Sequence, residues 1–160
     1  MHVKNIMTRK VISLKPNDTL KRALATLSEN RISAAPIINE EDEVVGIISE
    51  SDIFECFEDC VPTQTIDRHL GVTFDMLEIV RNIIDAQKMF PSSKVKKFLK
   101  RRVSEVMTKD VVTLSPGNSL VKASKIMAEM DINHVPVTEK SKLIGIVSRA
   151  DLIVGLSQGG

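Results

Sequence analysis

Two short stretches carry side chains that could meet a ligand. They are Gly46-Ile47-Ile48-Ser49-Glu50-Ser51-Asp52 and Gly145-Ile146-Val147-Ser148-Arg149-Ala150-Asp151. In each, a hydroxyl stands three residues before a carboxylate, where a continuous apolar run gives way to helical spacing. Two chemistries fit that pattern. Ser-x-x-Asp ahead of an apolar helix is close to a capping box, in which the hydroxyl accepts from the third helical amide. It also sets a carboxylate beside the open amides and positive dipole end of a helix, which suits an anion. A carboxylate so placed can accept both hydrogen bonds of a ribose cis-diol, as acidic residues do in dinucleotide folds. The two roles are compatible.

Other reactive side chains form no comparable set. Cys56 and Cys60 are four apart in a short helical stretch and read as reduced thiols on one face. No second Cys/His pair stands at metal-ligand spacing, so no metal site is expected. The three histidines, His2, His69 and His134, are scattered, and the phosphate loop of the Gly-x-x-x-x-Gly-Lys type is missing. We therefore expect no catalytic activity. The five Phe, with no Tyr or Trp, mean that a bound flat ring must be sandwiched by aliphatic side chains.

The elements that must position the two stretches come from a duplication. At an offset of one hundred residues, Val3, Met7, Thr8, Val11, Leu14, Pro16, Leu20, Ala23, Glu29, Ile32 and Pro36 return as Val103, Met107, Thr108, Val111, Leu114, Pro116, Leu120, Ala123, Glu129, Ile132 and Pro136. Past a one-residue deletion the offset is 99, and Gly46, Ile47, Ser49 and Asp52 return as Gly145, Ile146, Ser148 and Asp151. Each copy predicts a short strand (11–14, 111–114) ended by proline, then a helix with apolar residues on one face. Asn17 and Asp18 are candidate caps for the first of these helices. Second and third strands follow (35–38 and 44–49; 135–138 and 143–148), and a closing helix begins near Ser51 or Asp52. One copy of about fifty residues would be marginal alone. Two copies pairing sheet against sheet would bury both apolar faces.

The order Met-Thr, strand, Pro, helix, hydrophobic-Pro-hydrophobic, then Gly-h-h-Ser-x-x-Asp resembles the cystathionine-β-synthase (CBS) domain, present twice. The resemblance covers residues 3–60 and 103–157. It implies an α/β (α+β) fold of tandem CBS domains, two β-α-β-β-α units packed sheet to sheet with pseudo-twofold symmetry. It also implies a regulatory module that binds AMP, ADP, ATP or S-adenosylmethionine, forms a homodimer and acts on a separate effector protein. Carried over by position, Asp52 and Asp151 would hold the ribose hydroxyls, with Ser49 and Ser148 near the phosphate. Thr8, Ile12, Ile32, Pro36 and Ile37 would line one adenine pocket. Thr108, Val112, Ile132, Pro136 and Val137 would line the other. Family members that bind phosphates often carry a basic side chain two residues before the strand proline. His134 stands there in the second copy and Ala34 in the first, while Arg149 stands where the first copy has Glu50. An anionic nucleotide is thus expected against the second copy's basic groups, with His134 and Arg149 on its phosphate. The alternative function is a ligand-free dimerisation or interaction scaffold.

The domains expected are residues 1–60, an insertion at 61–102, and residues 103–160. Within the insertion, 74–90 reads as an amphipathic helix stopped by Pro91, and Lys94, Lys96, Lys97, Lys100, Arg101 and Arg102 crowd its end. Such a run is usually a solvated helix face, and without interleaved aromatics nucleic acid is a minor reading. Net charge is +1, which advertises no polyanionic or membrane partner. No apolar run reaches membrane-spanning length and no secretory leader stands at the N-terminus, so a cytoplasmic location is expected.

Overall fold

The structure is a computed structural model that describes residues 1–60 and 93–158. The expected helix at 74–90, its stop at Pro91 and His69 lie outside the described residues, as does the side chain of Cys60. In chain order the elements are a 3₁₀ turn Val3–Asn5, α1 Leu20–Asn30, β1 Ala34–Ile38, β2 Val44–Ser49 and α2 Glu50–Cys60. They continue with α3 Ser93–Leu99, α4 Val103–Val106, α5 Leu120–Glu129, β3 His134–Glu139, β4 Lys142–Ser148 and α6 Arg149–Gln158. β1 pairs with β2, and β3 pairs antiparallel with β4. The α/β tandem architecture read from the sequence is present.

The first strand of each copy shrinks to one residue. Leu14 makes a single parallel bridge to Ile37, and Leu114 a single parallel bridge to Val137. The Leu14 amide donates to Pro36 O at 3.0 Å and Leu14 O accepts from the Ile38 amide at 3.0 Å. Beyond it the chain turns at once: the Lys15 amide donates to Asp18 Oδ2 at 2.8 Å, and the Asp18 amide to Lys15 O at 3.0 Å. This corrects two expectations. The strands at 11–14 and 111–114 do not propagate, because the proline turn redirects the backbone after one pair. Asn17 and Asp18 do not cap α1, because Asp18 is spent on that turn. Thr19 is the cap, accepting from the Arg22 amide at 3.2 Å, and Ser119 does the same for α5 from the Lys122 amide.

α1 ends in left-handed Arg31 at φ 52°, whereas α5 ends in Met130 at φ −98° and the left-handed residue, Asp131 at φ 50°, comes one position later. The one-residue deletion has a local meaning. Between β1 and β2, Asn39 Oδ1 accepts from the Glu41 and Glu43 amides at 3.0 and 2.9 Å, closing a longer acidic turn. Between β3 and β4 only Lys140 and Ser141 remain, both at positive φ (50° and 68°). That is the conformation a two-residue hairpin turn requires.

The described chain forms two compact units. One contains Met1–Leu14, Ala35–Ile47 and Lys109–Gly160; the other contains Lys15–Ala34 and Ile48–Thr108. In the first, Val3 and Met7 share a core with Leu114, Leu120, Ala123, Met127, Val135, Val137, Val147 and Leu152. The Val3 amide donates to Asn118 O at 2.8 Å, and Thr8 and Ile146 exchange backbone hydrogen bonds at 2.9 and 3.0 Å. Gly145 permits this approach: a Cβ there would stand 2.6 Å from Met7 Sδ and 3.2 Å from Thr8 O. In the second unit, Leu20, Leu24, Leu27, Ile48 and Ile53 are buried, and Phe57 of α2 meets Phe98 of α3 edge to face at 5.3 Å. The Leu20 and Val103 amides there donate to Arg101 O (2.9 Å) and Asp18 O (2.8 Å).

Candidate functional site

Each Ser-x-x-Asp stretch folds as the join between a buried strand and a helix N-terminus. β2 is nearly all apolar, so burial fixes it up to Ser49, and α2 begins at the next residue. The Ser49 amide and hydroxyl donate to Asp52 Oδ2 at 2.8 and 3.0 Å, and the Asp52 amide donates back to Ser49 Oγ at 3.2 Å. At Ser148 and Asp151 the same three bonds measure 2.7, 2.6 and 3.2 Å. These are complete capping boxes. They engage one carboxylate oxygen each. Asp52 Oδ1 and Asp151 Oδ1 accept no hydrogen bond among the described residues. An ionised carboxylate has about four lone-pair sites, so a pair of donors from a ligand can still be received at each junction.

The second copy adds basic side chains. His134 opens β3 opposite Ser148 in the strand register, half-buried. Burial pushes its imidazole below the ordinary value, and the nearby Asp151 carboxylate pulls partway back up. In the unliganded protein the His134 ring is therefore less readily protonated than an ordinary histidine. Arg149, the first residue of α6, sends its guanidinium over the preceding loop: Nη2 reaches Ile132 O at 3.4 Å and Asp131 Oδ1 at 3.9 Å. Both partners of that ion pair are exposed.

The expected adenine-lining residues divide by burial. Thr8, Ile12 and Thr108 are exposed, and Ile32, Val112 and Ile132 are half-buried. Pro36 and Pro136 are buried, while Ile37 and Val137 have no exposed surface and belong to the core. Val112, Ile132, Pro136 and Val137 share a compact unit with Ser148 and Asp151, whereas Thr108 belongs to the other. From the first set, Ile32 is in the unit of Ser49 and Asp52; Thr8, Ile12, Pro36 and Ile37 are not. Thr8 is bonded instead to Ile146, two residues before Ser148.

One group of side chains at this site was not singled out from the sequence. A cavity of about 240 Å³ beside Asp52 is lined, among the described residues, by Glu55, Cys56, Asp59, Arg101, Glu105 and Val106. Within it Arg101 Nη1 donates to the buried Cys56 Sγ at 3.1 Å. The i, i+3, i+4, i+7 spacing of Asp52, Glu55, Cys56 and Asp59 was the available signal, since it puts all four on one helical face.

Comparison with known proteins places this arrangement. The family model described as the CBS domain matches residues 3–59 and 103–157. An uncharacterised protein, MJ1426 of Methanocaldococcus jannaschii, is 31% identical over 158 residues, covering 98% of this chain and 91% of that protein. Among solved structures, CBSX2 in complex with AMP superposes with a TM-score of 0.69 at 21% identity, covering 98% of this chain and 96% of that one. The CBS domain pair of MJ0100, in complex with 5′-methylthioadenosine and S-adenosyl-L-methionine, gives 0.69 at 20% identity, covering 100% and 98%. With two matched copies spanning most of its length, this chain belongs to the CBS domain family.

Proposed function

We propose that the chain is a non-catalytic, cytoplasmic sensor of adenosyl ligands, of the AMP, ADP, ATP or S-adenosylmethionine class, that regulates a separate protein. Its working parts are two CBS copies (1–60 and 103–160) joined by the insertion at 61–102. The observation that carries this reading is the state of the two aspartates. Each is fixed at a helix N-terminus by its capping serine, and the other oxygen of each carboxylate, which accepts no hydrogen bond among the described residues, would receive the ribose hydroxyls. Ser49 and Ser148 would stand near the ligand's phosphate, with His134 and Arg149 reinforcing the second junction. Half-buried Ile32, Val112 and Ile132, with exposed Thr8, Ile12 and Thr108, are the residues open to an adenine. Pro36, Pro136, Ile37 and Val137 would support the pocket from the core. The AMP carried by CBSX2 and the adenosyl compounds carried by MJ0100 support the ligand class.

Calorimetric titration of ligand-stripped protein with AMP, ADP, ATP and S-adenosylmethionine, at fixed magnesium and salt, tests the proposal. Saturable heat from at least one of them is expected. Silence from all four, with an unchanged melting temperature in their presence, would leave the dimerisation-scaffold reading in its place.

A homodimer is part of the proposal, because α6 presents apolar residues to solvent. Ile153, Val154 and Leu156 are 66%, 54% and 51% exposed, on a helix whose Leu152 and Gly155 are already buried. Sedimentation equilibrium of the parent should give twice the chain mass, and Ile153→Asp should shift the population to monomer. A monomeric parent would refute the dimer.

A further inference from the structure

The two junctions share a scaffold and differ in charge. Their serine–aspartate bonds agree within 0.4 Å, as the 3.0 and 2.6 Å hydroxyl distances show. Behind them, the Glu50 amide donates to Ser33 O and the Arg149 amide to Asn133 O, both at 2.9 Å. On this common frame the side chains diverge position by position. Ala34, 6% exposed, occupies the place of His134, and Glu50 that of Arg149. Further along the helix, Glu55 and Asp59 of α2 stand where α6 has Val154 and Gln158. In the segment preceding each copy, Glu105 corresponds to Asn5.

Space differs as well as charge. Gly155 is the counterpart of Cys56, and a Cβ on it would lie 2.9 Å from both Ile6 Cγ2 and Leu120 Cδ1, so that place in the second copy is filled by apolar side chains. In the first copy the corresponding place is the cavity of about 240 Å³ beside Asp52. Among the described residues four carboxylates line it, those of Asp52, Glu55, Asp59 and Glu105, together with Arg101, whose Nε lies 3.9 Å from Glu105 Oε1.

We propose that the two copies sort adenosyl ligands by the charge at the ribose 5′ position, the second taking a 5′-phosphate and the first, with Ala34 and Glu50 in place of His134 and Arg149, taking a cationic sulfonium. The inference rests on the sensor reading given above. A phosphate placed at the first junction would meet Glu50 and the acidic face of α2, with Ala34 and Glu50 standing where the second copy has His134 and Arg149. Like charges at such range disfavour the complex. A sulfonium such as that of S-adenosylmethionine meets the same carboxylates favourably. At the second junction the preference reverses, because the helix N-terminus, Arg149 and a protonatable His134 all favour an anion.

Calorimetry on the full ligand-stripped chain, with AMP and S-adenosylmethionine as separate probes, decides the matter. Asp151→Ala should weaken AMP by at least about tenfold and leave S-adenosylmethionine within about twofold of the parent. Asp52→Ala should do the reverse. Because that substitution also removes a helix cap, Glu50→Arg provides an independent reading with the cap intact. It should weaken S-adenosylmethionine and raise AMP stoichiometry from about one to about two per chain. Loss of AMP in Asp52→Ala, loss of S-adenosylmethionine in Asp151→Ala, or competition of the two probes for a single site would overturn the sorting while leaving the sensor reading intact. Absence of saturable binding by either probe to the parent would overturn the sorting together with a sensor for these two ligands.

Discussion

His134 links ligand to proton. Its imidazole is held below the ordinary histidine value chiefly by burial, and Asp151 offsets only part of that effect. Two consequences follow from the sign. In the unliganded protein, the native state binds this proton less readily than the unfolded chain, whose histidine titrates near 6.5. The stability gained from keeping His134 neutral is therefore present above that value and is lost as pH falls toward and through the lower native one. A phosphate near the ring would act in the opposite direction, favouring the imidazolium and raising its pKa. AMP binding near neutral pH should thus be accompanied by proton uptake. Titrations in buffers of different ionisation enthalpy would read it as a slope of observed heat against buffer enthalpy. His134→Gln, measured alongside to subtract the phosphate's own ionisation, should remove most of that slope. An identical slope in the variant would show that His134 does not meet the phosphate.

At the scale of elements, Gly145 connects the motif to its fold. The glycine opening the Gly-h-h-Ser run contributes no chemistry to a ligand. It lets the Met7–Thr8 backbone lie against β4, where an added Cβ would come within 2.6 Å of Met7 Sδ and 3.2 Å of a carbonyl oxygen. The thioether can move but the backbone oxygen cannot, so Gly145→Ala should cost about 1–3 kcal/mol. Urea denaturation monitored by far-UV circular dichroism would read this as a lower midpoint, and an unchanged midpoint would show that Met7 repacks freely. Much of this was legible in the sequence, for identifiable reasons. Helical periodicity found the buried face of α1, with Leu20, Ala23, Leu24 and Leu27 inside, and the apolar runs found β2 and β4. Duplication identified the two junctions because the same Ser-x-x-Asp recurred at a constant offset. The single-residue bridges at Leu14 and Leu114 were not legible, since β-branched neighbours favour extension whether or not a partner strand is present. The acidic lining beside Asp52 was overlooked because Arg101 and Glu105 reach it from more than forty residues away in sequence. The lysine-rich segment behaves as its composition indicated: Lys94, Lys96, Lys97 and Lys100 are exposed, while Val95, Phe98 and Leu99 are buried.

For the whole molecule, sequence order and structural unit do not coincide. Residues that precede the first copy's helix, Met1–Leu14, cluster with the second copy from Lys109 onward. Val3 is fully buried there and Met7 nearly so, in one core with Leu114, Leu120 and Val147. The Thr8–Ile146 pair ties the same segment to the strand that ends at Ser148 and Asp151. The second junction, at Ser148 and Asp151, therefore depends on Val3, Met7 and Thr8, 140 or more positions upstream, and a 103–160 fragment lacks part of its own core. Removing residues 1–8 tests this dependence. Burial of one aliphatic side chain contributes roughly 1.5–3 kcal/mol, so losing Val3 and Met7 should cost about 3–6 kcal/mol. That is a large share of the 5–15 kcal/mol by which domains are typically stable. The truncated chain should unfold at a much lower urea concentration, and it should lose amide protection first along β4 and at the start of α6, where hydrogen exchange can follow it residue by residue. Equal protection at Ile146 and Ser148 with and without residues 1–8 would mean that the second copy folds by itself. Loss of protection there would mean that the first residues of the chain help to build the second copy's ligand junction, and that the two copies are interdependent modules.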